Sequence, residues 1–292
     1  MLPIVLAILA VARCTAAQPA VTVQAPRLEL WGSVNAALTG PSGDLVSSYS
    51  PPLLLDGEFT SHGAQTVTFG SRPAAGFEGG ANLFLSSHAG IQFIVDRDSP
   101  EVSGINMPYD VSLQYISRQP PSDFLVPVDI HASIPWPDTT GSLTQTGLSV
   151  NGVIRLGQPG RVSLTLSGGL TYYRLSGDVQ PIAYTTYHLG GHSVLFGDDY
   201  RLAVSLEPTT GIGFNGGGDI NVGIHKGVAL MMGYRYRGGP AVDVPVRVTS
   251  ILNPDQIVFQ QAIADIIQRL ALAPAHVGIS GSRVVVGLKW MH

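Results

Sequence analysis

Four groups of residues in this chain could do chemistry at the spacing they have. Gly211-Ile-Gly213-Phe-Asn-Gly216 matches G-x-G-x-x-G, the pattern whose backbone N–H groups cradle a pyrophosphate. His188 and His192, with Asp198 and Asp199 nearby, offer imidazole and carboxylate donors for a divalent metal. His276 with Ser280, and His131 with Ser133, supply a base and a hydroxyl of the kind that lipid-modifying catalysis uses. The fourth group is larger: Glu29, Glu78, Asp96, Arg155, Asp219, Arg235, Arg237, Arg283 and Lys289, each flanked on both sides by residues of another character.

The first three groups lack the context their chemistry needs. A nucleotide loop sits between a strand and a helix, whereas these glycines continue an unbroken alternation and relieve crowding instead. Imidazoles four apart suit a helix, but Gly190 and Gly191 between them argue for a turn with solvated histidines. Neither His/Ser pair has an orienting carboxylate beside it in sequence, as triad logic requires. The sequence therefore predicts no enzyme activity, no metal and no cofactor.

The fourth group is organised by the stretch from Thr210 to Arg237. Ile212, Phe214, Ile220, Val222 and Ile224 fall on one face, and Gly211, Gly213, Asn215, Asp219 and Asn221 on the other. His225, Lys226 and Gly227 turn the chain, and Val228, Leu230, Met232, Tyr234 and Tyr236 resume the pattern. A period of two held this long predicts strands of about 9–11 residues, the length that crosses a bilayer as part of a closed barrel.

The unit repeats. Strands are predicted at about 28–38, 73–85, 89–95, 143–157, 162–172, 210–224, 228–237 and 277–290, with a bulge near Gly281 to restore the phase between Ile279 and Val284. Three connections, 86–88, 158–160 and 225–227, are short. The other four are long: 39–72, 98–142, 176–209 and 238–275. Tyr109–Ile116 and the Pro-punctuated Phe124–Pro137 read as a hairpin extension above the membrane, because counting the first as a crossing would give an odd strand number. Tyr200 to Leu206 belongs to a second loop hairpin, within 176–209. Pro254 to Leu272 reads as one short loop helix, with Asn253 as N-cap and Pro274 as stop.

Composition agrees. Only 12% of residues are charged, half the usual quarter, although 45% are hydrophobic. A net charge of −4 gives no electrostatic basis for nucleic-acid binding. Past the N-terminus no apolar run is long enough for a membrane-spanning helix. Residues 1–17 read as a signal peptide, with an apolar core from Leu2 to Ala12, and 18–26 as a periplasmic lead-in to a single barrel domain over 27–292. Arg13 before Cys14, the one cysteine, argues against lipidation there.

Alternation alone does not say which face meets lipid. A soluble barrel with an apolar interior is the rival. Against it, the polar face is mainly Gly, Ser, Asn and Thr, and its sparse charges balance across strands, as a narrow closed lumen requires. Phe77, Tyr172, Phe214, Tyr234 and Tyr236 on the loop side, and Trp290 on the turn side, lie on the apolar face near strand ends, the place of an aromatic girdle.

The signal, the eight alternating strands and the terminal Val-Val-Val-Gly-Leu-Lys-Trp resemble the small outer-membrane β-barrels of the OmpA/OmpX/OmpW type. That resemblance implies an all-β, eight-stranded antiparallel transmembrane barrel with long outer loops, in the outer membrane of a Gram-negative-type bacterium. It implies outer-membrane lipid, lipopolysaccharide and the barrel-assembly machinery as partners, and an extracellular ligand or host surface for the loops. Members usually end on the aromatic residue; here Met291 and His292 follow Trp290. Eight strands leave an interior just wide enough for side chains, so the expected role lies in the loops: structure, adhesion or partner binding. The alternatives are a narrow conduit for small hydrophobic molecules, with loop pieces forming a funnel, and a lipid-modifying enzyme.

Overall fold

The structure, a computed structural model, describes residues 27–49, 60–106, 109–119, 124–134, 139–157, 161–190, 193–252, 268 and 270–291. The expected signal peptide and lead-in lie outside them, as does most of the expected loop helix. Of the remainder of that helix, Gln268 is helical, but Leu270–Leu272 is a strand, so the helix does not reach Leu272.

Strands in chain order begin with β1 (Arg27–Thr39), β2 (Ser42–Tyr49), β3 (Thr60–Ser71), β4 (Ala74–Phe84) and β5 (Ala89–Asp98). There follow β6 (Glu101–Asn106), β7 (Tyr109–Gln119), β8 (Phe124–Ile134), β9 (Thr139–Gly157), β10 (Val162–Gly190) and β11 (Ser193–His225). The last six are β12 (Val228–Gly238), β13 (Val242–Val244), β14 (Val246–Leu252), β15 (Leu270–Leu272), β16 (Ala275–Gly278) and β17 (Gly281–Met291).

Eight of these close a ring of antiparallel pairs: β1 with β4, then β5, β9, β10, β11, β12, β17 and back to β1. These are the eight expected crossings. Closure leaves no free edge, so every backbone group in the wall can pair. Starting at Glu29, paired residues run through Asn82, Gln92, Asn151, Gly169, Asn215, Arg237 and Gly281 and arrive beside Gly40. The path comes back about ten residues further along β1, and that offset is the shear that tilts the strands. The turn before β12 is made possible by Gly227, whose φ of 74° suits glycine.

The regions read from sequence as long loops are not simply loops. Much of what they contain is a second ring stacked on the first, on the side of the long connections. β2 pairs with β3, β3 with β6, β6 with β9, β9 with β10, and β10 with β11. β11 pairs with β14; β13, in line with β14 beyond Pro245, pairs with β16; β16 and β15 both pair with β2. β10 and β11 run through both rings, at 29 and 33 residues. The β7–β8 hairpin, expected as an extension, leaves the upper ring along β3.

The wall inverts its polarity between the rings. In the lower ring of β10, Leu164, Leu166, Leu170 and Tyr172 point outward while Ser163, Thr165 and Thr171 are buried. Beyond Tyr173 the inward positions become Leu175 and Val179, and the outward ones Arg174, Asp178 and Gln180. β9 does the same, with Leu143 inside and Thr140 and Ser142 outside. The upper interior is a packed apolar core that includes Leu45, Val67, Phe69, Leu175, Val204 and Val277.

This inversion also corrects the bulge expected near Gly281. Val277 and Ile279 are buried, as are Arg283 and Val285, so the inward parity never changes; only the chemistry of the interior does. The register shift lies on the partner strand, between Ala37 and Thr39, opposite Arg283 and Ser282.

Candidate functional site: the barrel interior and its outer wall

All nine charges singled out by their alternation are buried inside the lower ring. The tilt brings residues far apart in sequence onto two levels. Nearest the short turns, Arg155 on β9 forms an ion pair with Glu29 on β1 and lies 3.6 Å over the ring of Phe84. Lys289 Nζ approaches Glu29 Oε2 at 3.8 Å.

Higher up, Arg283 on β17 is the centre. Its guanidinium reaches Glu78 Oε2 at 3.1 Å, Asp96 Oδ2 at 2.9 Å and Asp98 Oδ2 at 3.0 Å. Arg237 donates to the same two aspartates, at 2.7 and 2.9 Å. Arg235 pairs with Asp219 at 2.6 Å and lies 3.6 Å from Glu78. Trp31 stands 5.7 Å from the Arg235 guanidinium and packs with Ile94, Met231 and Val285.

Asp98 belongs to this network and was missed in the sequence, because the strand was ended too soon. With it, the buried lumen carries Glu29, Glu78, Asp96, Asp98 and Asp219 against Arg155, Arg235, Arg237, Arg283 and Lys289. Acids and bases balance, which a low-dielectric interior demands, because an unpaired buried charge costs several kcal/mol.

A second feature went unseen in the sequence. Between the two charged levels a chain of side-chain amides follows the tilted row around the wall. Asn82 Nδ2 donates to Glu29 Oε2 (3.1 Å), Gln92 Nε2 to Asn82 Oδ1 (3.0 Å), Asn151 Nδ2 to Gln92 Oε1 (3.0 Å), and Asn215 Nδ2 to Asn151 Oδ1 (2.8 Å). Asn215 also donates to Thr171 Oγ1, itself bonded to Ser149 Oγ at 2.7 Å. The step from β9 to β11 skips β10, and Gly169 makes that possible. A Cβ there would overlap the Val150 carbonyl oxygen and crowd Asn151 Oδ1. Gly169→Val should therefore break the Asn151–Asn215 bond and lower stability by about 1–3 kcal/mol, read as a lower urea midpoint in lipid vesicles; an unchanged midpoint would mean the ladder is not rigid.

The remaining candidates sort by position. The G-x-G-x-x-G glycines lie inside β11, with no helix after them. His192 lies outside the described residues; His188 pairs in register with Leu195, and Asp199 with Thr185. Among the described residues no group of three or more His, Cys, Asp or Glu is placed to hold a metal. His131 and Ser133 occupy β8, opposite Ser112 and Asp110 of β7. His276 has a carboxylate partner that is remote in sequence: Asp243 Oδ1 lies 2.9 Å from His276 Nδ1, brought there by the β13–β16 pairing. Four residues of extended chain, about 13 Å, separate His276 from Ser280, too far for a base and its nucleophile.

On the outside, the six expected girdle aromatics Phe77, Tyr172, Phe214, Tyr234, Tyr236 and Trp290 are all exposed. Phe214 and Tyr236 pair with ring centroids 6.2 Å apart. Between them the wall is mainly Leu, Ile and Val: Leu30, Val34, Val150, Leu166 and Val286 are among its exposed residues, with Phe93 beside them.

No family model and no curated protein matches the chain. Among solved structures it is similar to the outer membrane protein OprG from Pseudomonas aeruginosa, at 9% identity over 92% of this chain and 96% of that one, with a TM-score of 0.43. It is similar to Neisserial surface protein A, at 14% identity over 89% and 96%, TM-score 0.33. A third is the outer membrane protease OmpT from Escherichia coli, at 8% identity over 95% and 100%, TM-score 0.41. The architecture of the chain is that of the small outer-membrane β-barrels it resembles in sequence pattern.

Proposed function

We propose that the chain is an integral, non-enzymatic outer-membrane protein whose barrel does not conduct and whose work is done by the ring and hairpin outside the bilayer: surface structure, adhesion or partner binding. The observation that carries this is the doubly closed interior. Balanced charges and an amide ladder fill the lower ring, and a packed apolar core fills the upper one. A space beside Asp98, Arg235, Arg237 and Arg283 holds about 10 Å³, room for about one water.

Support for the membrane comes from the exterior. Apolar residues stay exposed from Leu148 to Leu156 on β9, roughly 27 Å of strand and roughly 21 Å once tilted, close to the apolar band of an outer-membrane barrel. The conduit reading draws its funnel from 124–136, 194–206 and 254–272; in the second of these Leu202, Val204 and Leu206 are enclosed in the upper core and not free to line it.

The deciding measurement is reconstitution in planar lipid bilayers. The expected record is a silent membrane with at most brief, small openings. A stable, large, ungated conductance would overturn the filled-lumen reading.

A further inference from the structure

Four rows of outward residues cross β5 or β6, β9 and β10 one above the other, and their chemistry changes in order. The lowest is Val95, Leu148 and Tyr172, exposed by 57%, 51% and 51%. Next come Arg97, Thr146 and Arg174. Above them stand Ser99, Thr144 and Ser176, with Ser99 Oγ 3.1 Å from Thr144 Oγ1. The highest row is Glu101, Ser142 and Asp178; with Arg72, Thr140 and Gln180 these line a cleft of about 560 Å³.

Arg97 and Arg174 are exposed, and neither has an ion-pair or hydrogen-bond partner among the described residues. They flank one strand, so their Cα atoms lie about 10 Å apart. Both guanidiniums can meet over Thr146. The carboxylates Glu101 and Asp178 are four residues further up, about 13 Å away, too far to neutralise them. Phe77 and Thr210 close the row on either side. On a wall with this belt, two free arginines at its upper edge sit at headgroup level, where a phosphate would give charge-assisted, bidentate hydrogen bonds.

The geometry points to a binding site for a phosphorylated glycolipid of the outer leaflet on this face. Its acyl chains lie on Val95, Leu148 and Tyr172. Its phosphate is held between Arg97 and Arg174. Its sugar hydroxyls meet the hydroxyl row and the carboxylates of the cleft. The assignment rests on the membrane reading above and adds to it a defined site, with Arg97 and Arg174 as the residues that hold the phosphate.

The test is native mass spectrometry of the full chain folded in detergent, titrated with diphosphoryl lipid A, dephosphorylated lipid A, phosphatidylglycerol or inorganic phosphate. Wild type should retain one diphosphoryl lipid A. Removing the phosphates from the lipid, or both arginines through R97Q/R174Q, should weaken retention about tenfold or more. R97K/R174K should recover part of it, and R161Q, on the opposite rim, should change nothing. Equal retention by R97Q/R174Q overturns the site. So does equal binding of inorganic phosphate, which makes it a free-anion site, or equal binding of phosphatidylglycerol, which removes the sugar. Insertion of wild type into phosphatidylcholine vesicles is scored separately. Failure there sinks the membrane reading; insertion with unaltered lipid A retention by the variant sinks only the site.

Discussion

Arg283→Leu is expected to cost about 3–5 kcal/mol of folding stability, the range for breaking a buried ion pair from one side. Its guanidinium serves three carboxylates, Glu78, Asp96 and Asp98. Arg237 remains for the two aspartates, but Glu78 keeps only Arg235, at 3.6 Å. The lumen would then hold one more acid than base, with room for about one water beside it. Adding Glu78→Gln restores the balance, and the double variant should recover at least about 1 kcal/mol of the loss, as coupled neighbours do. Urea unfolding in lipid vesicles, followed by tryptophan fluorescence, reads both. A loss below about 1 kcal/mol for the single variant would mean that water enters the lumen and solvates the acids.

Phe69→Ala is expected to cost about 3–5 kcal/mol as well, but in the other ring. Phe69 is buried in the apolar core of the upper ring, where it packs with Leu45, Val67 and Val102. Below that core the lumen is held by ion pairs and amides that Phe69 does not touch. The variant should therefore gain protease cleavage within 42–49, 60–71 and 139–146, while the crossings in vesicles stay protected. Loss of protection in both rings together would show that they fold as one cooperative unit.

The crossings were legible because lipid imposes a demand that sequence cannot hide: an apolar residue at every second position over a long strand. Glu29, Asp219 and Arg235 were legible for the same reason, as the polar parity of those strands. The upper ring was not. In β10 the apolar positions are Leu164, Leu166, Leu170 and Tyr172, then Tyr173, Leu175 and Val179. The switch from even to odd reads as the end of a strand, although the backbone continues and the facing is kept. Pro245 and three-residue strands such as β13 hide the rest.

The amide ladder was illegible for a different reason. Asn82, Gln92, Asn151 and Asn215 sit on four strands, and they meet only at one particular offset around the barrel. Sequence supplies the parity but not that offset. Asp243 and His276 were separated in the same way, 33 residues apart until β13 and β16 pair.

The polarity inversion has a consequence for how the barrel rides in its bilayer. A shift of two residues is about 6.8 Å along the tilted strands and moves the wall by about 5 Å across the bilayer. Sinking that far would carry Arg97 and Arg174 below the headgroups, where the cost of each charge starts to climb from about 0–1 kcal/mol at the interface toward about 2–4 kcal/mol at the midplane. Rising that far would lift Val95, Leu148 and Tyr172 into water and pull Trp290 off the headgroups on the side of the short turns. The wall thus carries its own waterline, and the molecule has one draught at which it floats.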